Sequence, residues 1–95
     1  MSYQIRLSPI ADLDLDGAVL YYSAQLSGLG IRFASETNDA LMKIGEMPFA
    51  YSTRYENVRA AKIRSFPYLI FYTIDERIKV INVLRIFNTH QKPYF

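Results

Sequence analysis

Cysteine is absent from the 95 residues, which excludes disulfides, zinc–cysteine clusters and thiol nucleophiles. That suits a reducing compartment. No apolar run approaches the length of about 18 residues from which a membrane-spanning helix is inferred. The first residues lack the basic, apolar and small-residue succession of a signal peptide. The expectation is a soluble, cytoplasmic protein with no membrane partner. Internal repeats and low-complexity segments are missing as well. Ser27-Gly28-Leu29-Gly30 is too short for a phosphate-cradling loop and lacks its lysine. Asp12, Asp14 and Asp16 have no convergent ligands that would make a metal site, so they read as a solvated helix face. No cofactor is implied.

What is present is apolar content and an uneven charge. Hydrophobic residues make up 51% of the chain, enough for one core, and the length allows one domain over residues 1–95. The formal net charge is +2, yet it is distributed unevenly. Residues 1–57 hold four basic and seven acidic side chains, a balance of −3, and residues 58–95 hold seven basic and two acidic, a balance of +5. Such polarity fits a basic face that meets an acidic partner or nucleic acid, or one that merely solvates a sheet.

Periodicity supplies the elements. Tyr3, Ile5 and Leu7 alternate as one face of a short strand. Ser8 then suits a helix N-cap and Pro9 the first helical position, where its missing N–H is not needed. Helix one is expected over about residues 9–26, with Ile10, Leu13, Gly17, Leu20, Tyr21 and Ala24 as its inner stripe. Gly17 weakens such a helix by about 1 kcal/mol relative to alanine, a cost that close packing on a neighbour would offset. Gly28 and Gly30 mark a turn able to take positive φ. Helix two is expected over about 30–46, with Phe33, Thr37, Ala40, Leu41, Ile44 and Met47 inside, and Pro48 stops it. Residues 48–57 read as a loop. Three strands follow at 58–65, 68–74 and 78–87, joined at Phe66-Pro67 and Asp75-Glu76-Arg77. The run 68–74 is apolar throughout, as a central strand covered on both faces would be. The fold class is α+β: two layers in the order β-α-α-β-β-β, a helical hairpin packed on an antiparallel sheet.

This order resembles the RelE/ParE superfamily, toxins of type II toxin–antitoxin systems, and the ParE-like branch in particular. Ile5-Arg6-Leu7-Ser8-Pro9 with Ala11-Asp12-Leu13 looks like the family's strand-to-helix start, and Asp14, Tyr21 and Tyr22 continue it. Ile44 to Pro48 resembles the helix-two exit. Arg59, then Phe66-Pro67-Tyr68-Leu69-Ile70-Phe71-Tyr72, resembles the family arginine and its aromatic-proline-tyrosine strand. Ile78 to Leu84, Asn88-Thr89 and Pro93 resemble the closing strand and tail. The likeness covers nearly the whole chain. It implies a cognate antitoxin that wraps the toxin, growth inhibition when unbound, and a place in plasmid stabilisation. For a ParE-like toxin the implied target is DNA gyrase. For a RelE-like one it is the ribosome and its mRNA, cut as by an endoribonuclease. An inactive module that only binds antitoxin is a third reading, and a homodimer or a toxin–antitoxin hetero-oligomer the expected assembly.

RNA cleavage needs a group to activate the 2′-hydroxyl, cations for the phosphorane-like transition state and a proton donor for the leaving oxygen. In RelE-like toxins the resemblance assigns these roles to basic residues on the sheet and a tyrosine near the C-terminus. Lys62 falls on one basic position, while Ala60 and Leu69 stand at two others. The arginine after the last strand falls near Thr89 and the terminal tyrosine near Phe95, beside Tyr94. The histidine that many ParE-like sequences carry aligns with Asn88, two positions before His90. Lys62, His90 and Tyr94 are therefore weak catalytic candidates, and most of the catalytic set is missing. Arg59, Lys62, Arg64, Arg85 and Asn88 are the candidates for contacts with target or antitoxin. Lys62 and Arg64 share a strand face, and with Arg85 they could form one cationic patch. The eight tyrosines could stack bases, or pack at the core's edge with the hydroxyl in water.

Overall fold

An almost wholly apolar strand needs cover on both faces, and the run from Tyr68 finds it at the middle of the sheet. The computed structural model describes residues 2–90: strand β1 at Gln4–Leu7, helix α1 at Pro9–Gln25, helix α2 at Leu29–Glu46, a 3-10 turn at Pro48–Ala50, and strands β2 at Thr53–Tyr55, β3 at Val58–Lys62, β4 at Tyr68–Asp75 and β5 at Val80–Asn88. The sheet order is β1-β5-β4-β3-β2. Tyr68, Ile70 and Tyr72 of β4 face the helices in the main core, with Phe33, Ile44, Ile63, Ile81 and Val83. On the opposite face Phe71 is buried with Val58 and Phe87, and Ala60, Leu69 and Leu84 pack around them.

The two-layer α+β architecture is as expected, with one correction to the sheet. β2 to β5 form an antiparallel meander, but β1 pairs parallel with β5, Gln4 to Leu7 opposite Val80 to Val83. The sheet is therefore mixed. Alternation in a sequence says which side chains share a face and nothing about the neighbour, and a parallel pair needs the long connection that the helices provide. Three strand limits shift for local reasons. Residues 48–57 hold the 3-10 turn and the short β2 rather than a plain loop. β3 ends at Lys62 because Ile63 already donates to the Tyr68 carbonyl and Ser65 turns at φ 69°. β5 begins at Val80 because Lys79 turns at φ 57°, after an Asp75 carboxylate that accepts the Arg77 N–H.

Ser8 caps α1 as its sequence predicts: its hydroxyl accepts from the Ala11 N–H at 3.0 Å, with Pro9 next in the first turn. The inner face of α1 differs from expectation. Ala11 and Ala18 are the buried residues, and Leu15, Val19 and Tyr22 pack beside them on the core. Ile10, Leu13, Leu20 and Tyr21 of the expected stripe point to solvent. The helix is apolar on two sides, and the smaller side chains face inward because the other elements come close there. In α2 Phe33, Thr37, Ala40 and Ile44 of the expected face are buried and Leu41 is partly so, while Met47 is exposed past the helix end.

The close helix crossing lies at Gly30, not at Gly17. A Cβ on Gly30 would stand 2.6 Å from the Val19 carbonyl oxygen and 1.9 Å from Ser23 Oγ, whereas one on Gly17 would meet nothing within 4 Å among the described residues. Gly28, not Gly30, takes the positive φ of the turn, at 85°. Gly30→Ala should therefore destabilise the protein by about 2 kcal/mol or more, although alanine is the better helix former by about 1 kcal/mol. Urea unfolding checks the sign. A gain in stability would show that the crossing relaxes freely.

Candidate interaction groove

The site is built where β5 outruns its neighbour. β1 pairs only as far as Val83, so beyond that point this edge of β5 carries no strand, and α1 lies alongside. A bulge at Leu84 shifts the register: Tyr72 stands opposite Val83, but Phe71 stands opposite Arg85. Both sides of the bulge are held, one from the N-cap of α1 and the other from α1 itself. The Ser8 hydroxyl donates to the Leu84 carbonyl at 2.9 Å, and the Ser8 N–H to that of Val83 at 2.9 Å. Asp14 accepts two hydrogen bonds from the Arg85 guanidinium, at 2.8 and 3.1 Å, and a third from the Ile86 N–H at 3.0 Å. A two-pronged ion pair of this kind is strong and directional. Asp14 therefore departs from the solvated acidic face expected of it; Asp12 and Asp16 are exposed as expected.

Between α1 and this open edge runs a groove of about 630 Å³. Leu13, Gly17 and Tyr21 form its rim on α1, and Arg85, Asn88 and His90 border it on the other side. Asn88 closes the strand by accepting the His90 N–H on its side-chain oxygen at 2.8 Å. Tyr22 and Tyr68 form part of the wall. Burial pushes the Tyr22 phenol up, with Tyr68 and Tyr21 adding to it, so it stays a neutral hydrogen-bonding group here. Among the described residues no cluster of histidine and carboxylate could hold a metal ion, and no helix is long and apolar enough to cross a membrane.

The structure thus brings Arg85, Asn88 and His90 together and places the other sequence candidates elsewhere. Lys62 and Arg64 border a separate cleft of about 320 Å³ with Glu36, Asp39 and Glu46 of α2. The Lys62 ammonium donates to the carbonyls of Ile63 and Phe66, each at 3.1 Å, and Arg64 is exposed on the turn. Arg59 donates to the Tyr51 carbonyl and lies over the Phe49 ring. A single patch of Lys62, Arg64 and Arg85 is therefore not assembled, because the strand carrying the first ends before the second and Arg85 is drawn to α1. Tyr94 lies outside the described residues.

The loop after α2 is fixed by a buried phenol. Tyr72 donates to the Pro48 carbonyl at 2.7 Å. Burial pushes its pKa up to about 12, against a smaller lowering by the neighbouring Arg59 cation.

Residues 5–93 match the sequence profile described as the ParE toxin of type II toxin–antitoxin system, parDE. The chain belongs to this family. No curated protein matches it in sequence. Solved structures do match in fold. The chromosomal ParDE system of P. aeruginosa superposes with a TM-score of 0.75 at 17% identity, over 92% of this chain and 96% of that one. The toxin–antitoxin complex RelBE2 of Mycobacterium tuberculosis gives 0.65 at 21% identity, over 93% and 99%. A free, doubly substituted E. coli toxin RelE gives 0.59 at 18% identity, over 90% and 82%. At such identities these likenesses concern the fold, and they match the two-layer reading of the toxin superfamily.

Two substitutions probe these anchoring contacts, one at the groove and one at the loop after α2. Asp14→Ala removes an ion pair and leaves the Ile86 N–H without its acceptor, so it should cost about 2 kcal/mol and lower the thermal midpoint by roughly 10 °C. Calorimetry reads this, and an unchanged midpoint would make the pair a surface ornament. Tyr72→Phe leaves the Pro48 carbonyl without its donor and should cost about 1 kcal/mol at neutral pH. The phenol's folded pKa lies above its ordinary value, so its contribution is whole below pH 10 and fades as pH rises towards about 12. The stability difference between the two proteins, followed by urea unfolding, should shrink over that window.

Proposed function

We propose that this chain inhibits growth by holding a target protein, with DNA gyrase as that target, and that a cognate antitoxin silences it by laying a segment in the groove between α1 and β5. The action belongs in the cytoplasm. The observation that carries binding over catalysis is the sheet face turned away from the helices. The superfamily resemblance puts cations of the RelE type at positions 60, 62 and 69. Here Ala60 and Leu69 pack against Val58, Phe71 and Phe87, and the Lys62 ammonium is spent on two backbone carbonyls. A phosphorane-like transition state needs preorganised positive charge aimed at it, and two of these three positions offer only carbon.

The groove suits a peptide segment rather than a small substrate. It offers an apolar rim, the open edge of β5 and a guanidinium already oriented by Asp14, which together recognise a chain with apolar and acidic side chains. The RelBE2 structure, a toxin–antitoxin complex, supports an antitoxin as partner, and so does the family.

Purified protein should block supercoiling by gyrase from the same organism, and the antitoxin should restore it. Intact supercoiling at large toxin excess, with new mRNA ends on translating ribosomes, would replace this reading by the endoribonuclease one. Neither effect, with antitoxin still bound, would leave an inactive binding module.

A further inference from the structure

Arg59, Lys62 and Arg85 are each held by a carbonyl or by Asp14, but Arg6 is not held by anything. It is exposed on β1 and has no hydrogen-bond or ion-pair partner among the described residues. Its neighbours across the sheet are equally unengaged. Arg6 stands opposite Asn82 of β5, and Asn82 opposite Thr73 of β4. Ile5 and Leu7, Ile81 and Val83, and Tyr72 and Ile74, which flank the three, all pack on the main core. Alternation therefore turns this row to the opposite face of the sheet. Asn82 and Thr73 are half-buried there, and their side chains have no hydrogen-bond partner among the described residues. Asparagine is disfavoured in strands, and a half-buried carboxamide without a protein partner relies on water or on a ligand.

The row borders a hollow of about 390 Å³, together with Pro9 and Leu84. Of the described residues around it, Arg6 alone is charged. Neighbouring strands lie about 4.8 Å apart, so Arg6 and Thr73 stand about 10 Å from each other with Asn82 between them. A guanidinium can reach over Asn82 from one side and brings two parallel N–H donors. The carboxamide adds its own N–H donors and the hydroxyl one more. A carboxylate has two oxygens, and the guanidinium fork takes both. A phosphate monoester has three unesterified oxygens, enough for the fork and for donors on the other two strands. The hollow also falls within the volumes of about 300–1,000 Å³ usual for small-molecule sites, which leaves room for the ester group.

We propose that Arg6, Asn82 and Thr73 form a binding site for the phosphate group of a small phosphate monoester. Arg6 supplies the charge, and Asn82 and Thr73 favour three oxygens over two. Among the described residues no histidine, lysine or carboxylate borders the hollow, so it lacks an acid or base and binds without cleaving. A single exposed cation is well screened by water, and the affinity is therefore modest. The hollow shares no bordering residue with the groove between α1 and β5, so this site does not depend on the antitoxin or gyrase reading.

Titration of the full chain with ribose 5-phosphate at constant ionic strength, followed by NMR through the Asn82 side-chain amide, tests this. The signal should shift to saturation, with half-saturation at about 1–10 mM. Arg6→Gln should weaken binding roughly tenfold or more, and Thr73→Val roughly threefold. Thr73→Ser, which keeps the hydroxyl, should bind as the unaltered protein does. Arg64→Gln removes an equal charge from an exposed turn and should change nothing. Arg6 is exposed and valine suits a strand, so these variants keep the fold, which their backbone amide spectra verify. No saturation below about 50 mM, an equal loss with Arg64→Gln, or indifference to Thr73→Val overturns the proposal. So does acetate or inorganic phosphate binding as tightly as the ester, which would make the row a general anion site.

Discussion

The contact between Asp14 and the bulged strand governs how the two layers meet. One carboxylate takes both prongs of Arg85 and the Ile86 N–H, and Ser8 takes the carbonyl of the extra residue, Leu84. Without the bulge, strict alternation from Val83 would turn Phe87 toward the helices and Ile86 away from them. With it, Ile86 joins the main core and Phe87 packs on Phe71 across the other face. A one-residue slip exchanges the faces of a strand, and a bulge does this locally. The exchange is stable only because α1 supplies partners for the backbone groups that the ladder gives up. The same arrangement leaves the edge of β5 open beside α1, so the groove follows directly from the way the layers are joined.

This explains what the sequence could and could not reveal. β4, the Ser8 cap, both helices and most of the inner face of α2 are local signals, and local patterns of apolarity and capping carry them. α1 misleads because its two apolar sides compete. The one with larger side chains looks like the core, while the true inner face relies on Ala11 and Ala18, whose small size permits close packing. The mixed sheet and the bulge depend on pairings distant in the chain, which alternation does not encode. The site was legible in part. Arg85, grouped in the sequence with Lys62 and Arg64, instead borders one groove with Asn88 and His90. Asp14 looks like one of three equivalent acids, and only the register of β5, 71 residues away, distinguishes it.

The basic half of the chain also changes meaning once its partners are known. Arg59, Lys62 and Arg85 are bound to backbone carbonyls or to Asp14. Each is held in place by its partner. A cation held on a carbonyl still contributes to the long-range field that steers an acidic partner, but it cannot turn to follow charge developing on a reacting phosphate without leaving that carbonyl unsatisfied. In the function proposed above, such fixed cations serve recognition of a surface rather than stabilisation of a transition state. The charge asymmetry between the two halves of the sequence is consistent with a binding face, where the energy of contact comes from buried carbon and the charges set approach and orientation.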